Sequence, residues 1–143
     1  MMPNEHMLYG FFAALIILFL FPGIGAYGFL MIFLGSVLID ADHYFAYVYL
    51  KRDISFSNAF DFFIKMGGEQ RRSKKTAREP LMIFHTAEVW LLLLVLSFYS
   101  EFFLYVLVGM LIHVLLDVYS LKKSNILYIR PFSFIRYYLR KKR

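Results

Sequence analysis

Residues 7–39 carry no charged side chain. No other feature of this 143-residue chain constrains its fold so strongly. In lipid, every backbone polar group must be paired internally, and a helix does that within one segment. The run is longer than the roughly 20 residues a bilayer core requires, and Pro22-Gly23-Ile24-Gly25 divides it. Proline cannot continue the hydrogen-bond ladder, and glycine permits a tight reversal. Two antiparallel helices are expected, at 5–21 and 26–50. The first is short for a bilayer and needs local thinning or burial against its neighbours.

A second hairpin follows, with spans expected at 81–98 and 102–121 around the connection 97–101. Composition agrees: 60% of residues are hydrophobic and only 18% charged, whereas a soluble domain carries about a quarter charged residues. The fold class is therefore an all-α membrane protein, a four-transmembrane-helix bundle of two helical hairpins in one domain, 1–143. Between the hairpins, 51–80 is polar. Phe56, Phe60, Phe63 and Ile64 recur there at helical spacing, which predicts an amphipathic interfacial helix over 54–66. Gly67-Gly68 is expected to end it, leaving 69–79 as a basic loop. The tail, 122–143, mixes aromatic and basic residues and is expected to lie along the interface. The N-terminus lacks a basic region and a small-residue cleavage site, so the first apolar run is expected to be retained.

All sixteen Lys and Arg fall in 51–78 or 122–143, and the connections 22–25 and 97–101 have none. With four spans, both basic segments and both termini share one side. The positive-inside rule makes that side cytoplasmic and the location the inner, cytoplasmic membrane. The basic stretch Arg71-Arg72-Ser73-Lys74-Lys75 is best explained by anionic lipid. No stacking aromatics interleave it, which disfavours nucleic acid as a partner.

Cysteine is absent, which excludes disulfides and thiolate metal sites. Histidine is the residue to follow. His6 comes after Glu5, His43 closes Asp40-Ala41-Asp42-His43, His85 precedes Glu88 by three positions, and His113 precedes Asp117 by four. Residues three or four apart share a helix face. A rise of 1.5 Å per residue places these groups about 17–26 Å from the outer connections on all four helices. Four separate helices thus bring them to one level. Charges in a bilayer pair with one another or face a cavity, and imidazole with carboxylate suits zinc, manganese or iron. One or two divalent ions, zinc foremost, are expected on His6, Asp40, Asp42, His43, His85, His113 and Asp117. Taken singly, each has a plainer explanation: His6 as an interfacial residue, His113 and Asp117 as a pair tying helices together, Glu88 as a headgroup contact. Jointly they favour metal.

The motifs also resemble a family. His6, Asp40-Ala41-Asp42-His43, Phe84-His85-Thr86, His113-Val-Leu-Leu-Asp117 and Ile129-Arg130-Pro131-Phe132 follow in the order seen in the YdjM-like family of LexA-binding, inner-membrane-associated metal-dependent hydrolases. The resemblance implies hydrolase activity. It departs at one motif, an H-R-G whose His is absent here, because Pro80 stands five positions before His85. The family's Arg would fall on Leu81. Glu88 and Arg78 are the candidates to replace these two groups. A more distant similarity to zinc-dependent phospholipase C points to phosphoester cleavage.

The expected function is a membrane-bound metal-dependent hydrolase acting on a phosphate ester of a lipid or lipid-linked substrate at the cytoplasmic face. Glu88 and Asp42 are the candidate general bases, and Arg78 and Arg130 the candidates to hold substrate phosphate. The alternative is a metal-binding membrane protein without catalysis: a sensor, assembly factor or transporter. A transporter needs ionisable groups right across the membrane, and the outer halves of the spans offer only Tyr27 and Tyr105.

Overall fold

The computed structural model describes residues 3–73 and 80–141, which are helical and include no strand. Among the described residues, seven α-helices follow one another: α1 (Pro3–Leu20), α2 (Gly25–Leu38), α3 (Ala41–Lys51), α4 (Phe56–Ser73), α5 (Ala87–Ser97), α6 (Glu101–Lys123) and α7 (Phe134–Lys141). Short 3-10 turns at Pro22–Ile24, Ile83–His85 and Leu127–Ile129 connect them. Among the described residues, two segments are long and apolar enough to cross a membrane: Pro22–Lys51, which contains α2 and α3, and Glu101–Lys123, which is α6. Only 28% and 33% of their most apolar windows are buried. At 1.5 Å per residue, the apolar helices α1 and α5 extend only about 27 and 16 Å.

The expected reversal lies where proline and glycine put it, with Gly25 at a φ of 60° that favours glycine. Beyond it, α1 and α2 pack as a hairpin, with the Phe11 ring edge-on to Phe29 and Phe33. The tightest pair is α2 with α6, and small residues make it possible. A Cβ on Gly35 would press on the Val106 backbone, and one on Gly109 would strike the Ile32 carbonyl and the Ser36 amide. Gly10 of α1 closes on the Ser36 side chain from the other flank. Where apolar burial gives no net drive between helices, close backbone approach supplies the attraction. Below this layer, Ile39, Met110 and Val114 form the core, flanked by Trp90, Phe84 and Phe132.

Three boundaries differ from the sequence expectation. The helix expected over 26–50 is interrupted at Ile39-Asp40, where the Asp40 amide donates to Val37 rather than to Ser36. The span expected over 81–98 is α-helical only over Ala87–Ser97, because 83–85 form a tight turn around the Asp42 carboxylate. Finally, α4 runs through Gly67-Gly68 to Ser73: both glycines keep helical backbone. The rest of the expected basic loop, 74–79, lies outside the described residues, and so does Arg78.

The start of α4 is fixed by Asp53. Its carboxylate accepts from the Tyr47 hydroxyl, the Asn58 side-chain amide and the Ser55 backbone amide. These bonds, Tyr47's foremost, hold the Asp53 carboxyl below the usual carboxylate range. The Tyr44 hydroxyl donates to the Ile54 carbonyl beside it. Thus α3 holds α4 by two tyrosines one helical turn apart.

Candidate metal centre

The small-residue layer explains how distant ligands come to one level. Because α1 runs antiparallel to α6, His6, one turn before Gly10, meets His113, one turn after Gly109. Their rings stack with centroids 4.2 Å apart. Since α2 runs parallel to α6, Asp40, one turn after Ser36, arrives at the same level, and its Oδ1 lies 3.4 Å from His113 Nε2. The helix break contributes directly. The Ser36 carbonyl, released from the Asp40 amide, accepts a hydrogen bond from His113 Nδ1 at 2.8 Å.

His85 enters from the turn before α5. Asp42, buried in the first turn of α3, accepts from the Phe84 amide at 2.6 Å and from His85 Nδ1 at 3.1 Å. The His85 ring then sits 5.4 Å from that of His113. His43 neighbours the group on the other side, its ring 5.6 Å from His85 and its Nδ1 3.2 Å from Asp40 Oδ1. Asp117, one turn beyond His113, completes the floor. Its Oδ1 lies 3.1 Å from His6 Nε2, and its Oδ2 lies 3.7 and 3.8 Å from the Nε2 atoms of His113 and His85.

Among the described residues, two triads have donor atoms close enough to share an ion, those of each triad within 4.8 Å of one another: His6, His113 and Asp117, and Asp40, His85 and His113. A chemical test of their fit lies in the imidazoles. In both His85 and His113, Nδ1 faces an acceptor and so carries the proton, leaving the lone pair on Nε2. Both Nε2 atoms are buried without a hydrogen-bond partner among the described residues. They lie 3.7 and 3.8 Å from Asp117 Oδ2, which also pairs with Arg130, and His113 Nε2 lies 3.4 Å from Asp40 Oδ1, so a cation or a proton shared among these groups would satisfy them. Second-sphere acceptors that fix the tautomer of a ligating histidine are the usual support of a metal site. The residues fit a metal ion.

Five of the seven expected ligands are in these triads: His6, Asp40, His85, His113 and Asp117. Asp42 and His43 are not. Asp42 instead accepts from the Phe84 amide and His85 Nδ1 through Oδ2, so it positions the His85 ring. Arg130, expected to hold substrate phosphate, is buried and paired with Asp117 through Nη1. Glu88, a candidate base, is directed elsewhere: it accepts from the Ser133 hydroxyl at 2.7 Å and faces the Ile135 amide at the start of α7. That is a helix-capping contact, in which a carboxylate meets the positive end of the dipole.

Sequence reasoning missed two contributors. One is the Ser36 carbonyl, whose role depends on a local break in α2. The other is the small-residue layer. Its signal was present, since Gly10, Ser36 and Gly109 each stand four positions from a ligand. Above the floor, α4 closes a cavity of about 470 Å³ that reaches His6, Asp40, His43 and Asp117. No family model, curated protein or solved structure matches the chain.

Proposed function

We propose that the protein is an integral membrane, metal-dependent phosphoesterase whose site lies at the cytoplasmic face, acting on a lipid or lipid-linked phosphate. The observation that carries this reading is the pair of buried, unpartnered Nε2 atoms of His85 and His113 within 4 Å of carboxylate oxygens of Asp40 and Asp117. One ion per chain suits the geometry best. The two triads share His113, which has a single free nitrogen, and one lone pair binds one cation. Three carboxylates, Asp40, Asp42 and Asp117, against one guanidinium leave an excess of negative charge that a divalent ion offsets. Zinc, manganese and iron all accept such nitrogen and oxygen donors.

Bound there, the ion supplies Lewis acidity, lowering the pKa of water towards neutrality and polarising a phosphoryl oxygen. The chain's own residues prepare the site. Ser36 and Asp42 hold the two imidazoles in their ligating tautomers, Arg130 fixes the orientation of Asp117, and α4 limits access of water from one side. Asp40, only partly buried at the cavity edge, would complete a ligand set with His85 and His113. The motif resemblance to inner-membrane hydrolases supports the same reading.

The membrane setting is supported by the low burial of the two long apolar segments and by large apolar side chains turned outward, with Phe19, Phe98 and Tyr99 each 84% exposed. In this reading α1 and α5, with the turn before it, are the two further spans, and both basic segments face the cytoplasm. The test is phosphate release from lysophosphatidate or a polyprenyl phosphate by detergent-purified protein. Activity should vanish on chelation, return with zinc or manganese, and fall at least about 100-fold in His113→Ala. Equal activity in wild type and His113→Ala would refute the catalytic assignment.

A further inference from the structure

The cavity over the metal-centre residues has two unlike walls. Its floor is polar, formed by His6, Asp40, His43 and Asp117 with Arg130 beside them. Its roof is the apolar face of α4, where Phe56, Phe60, Phe63 and Ile64 recur at helical spacing. The two walls are physically joined, since the Phe63 ring meets His43 edge-on with centroids 4.9 Å apart. Phe56 and Phe60 stay substantially exposed, so this aromatic face is not spent on packing the core. Arg71, also on α4, adds a positive charge at the lining.

Gly67 and Gly68 belong to the same wall. They continue the helix, so turn formation does not account for them. A Cβ at either would meet no atom within 4 Å, so close packing does not account for them either. Glycine inside a helix is unfavourable relative to almost any other residue. What the two glycines do provide is empty space on the cavity side of α4.

We propose that this cavity binds a single-chain phosphate amphiphile, with the anionic head on the His/Asp floor and the apolar tail along α4, and that Gly67 and Gly68 set the room for the tail. The volume lies in the range of pockets that enclose one ligand of modest size, which fits one tail. Charge complementarity favours an anionic head: Arg71 and Arg130 line the cavity, and a cation in the floor offsets its carboxylates. The head-group assignment rests on the phosphoesterase reading. The tail assignment does not.

The experiment measures binding of non-hydrolysable phosphonates to zinc-loaded protein in detergent by calorimetry. Methylphosphonate, dodecylphosphonate and inorganic phosphate are compared in wild type, Gly67→Leu and Phe60→Ala. Leucine favours the helix more than glycine does, so a loss in Gly67→Leu is not a folding defect. Wild type should bind dodecylphosphonate at least about 10-fold more tightly than methylphosphonate, since buried methylenes add to affinity. Both substitutions should erase most of that gain and leave zinc content and methylphosphonate affinity unchanged. Chain length partitions equally into micelles for every variant, so a gain that persists undiminished in Gly67→Leu and Phe60→Ala would overturn the proposal. So would inorganic phosphate binding as tightly as dodecylphosphonate. Dodecylphosphonate binding that is sensitive to Gly67, with no turnover of dodecyl phosphate, would uphold the tail site and refute the phosphoesterase reading.

Discussion

Asp42 shows how a carboxylate can bear on the candidate metal centre through a neighbouring imidazole. It lies in a string, Asp40-Ala41-Asp42-His43, in which sequence alone treats both acids as equivalent ligands. The fold separates them: Asp40 reaches His113 Nε2, while Asp42 turns to the Phe84 amide and His85 Nδ1. Consecutive helical positions differ by about 100° around the axis, so residues two apart face different directions. In Asp42→Ala the His85 ring loses the acceptor that fixes its tautomer. Zinc affinity should then fall about 10–100-fold, while saturating zinc still restores full occupancy. Isothermal titration with a competing chelator measures both quantities. An affinity equal to wild type would remove Asp42 from the support of the site. Arg130 makes the complementary point. Its charge was legible in the sequence, but its burial against Asp117 depends on the turn at Leu127–Ile129 that brings the tail back under α6.

At the scale of elements, the α2–α6 contact decides whether the site exists. Gly109 lets the two backbones approach, and that approach puts the Ser36 carbonyl within reach of His113 one turn further on. In Gly109→Ala, the added Cβ meets backbone atoms of α2, which cannot move aside as a side-chain tip can. Overpacking of this kind costs about 1–3 kcal/mol, so thermal unfolding in detergent should shift downward and zinc affinity should fall with it. An unchanged unfolding temperature would contradict the close-packed layer. The helical hairpin of α1 and α2 was readable because proline and glycine act locally. The break at Ile39-Asp40 and the late start of α5 were not, since both depend on partners far away in the chain, His113 for the first and Asp42 for the second. The aromatic spacing in 56–64 announced an amphipathic helix correctly, but not what its apolar face would cover. Gly67-Gly68 misled in a specific way: glycine permits a helix to end but does not oblige it to.

Over the whole molecule, the charge pattern and the site point the same way. The basic residues cluster in 51–78 and 122–143, adjoining the end of the helices where the His/Asp floor lies, and the outer connections carry no basic residue. Because the chain has no cysteine, single-cysteine labelling reports topology cleanly. Tyr99→Cys should react with an impermeant maleimide from outside intact cells, and Ser124→Cys only after the inner face is exposed. Reaction of both from one side would refute the arrangement with four spans. The level of the ligands was visible in the sequence because a helix converts residue number into depth. Which of them meet was not, because rotation about each helix axis is set by packing. Elemental analysis of purified protein decides whether the assembled His/Asp cluster holds a divalent cation. Wild type should carry about one zinc, manganese or iron per chain, and His113→Ala, with unchanged helical circular dichroism, should carry almost none. Wild-type protein that stays metal-free after incubation with each of these ions and removal of the excess would show that the cluster holds none.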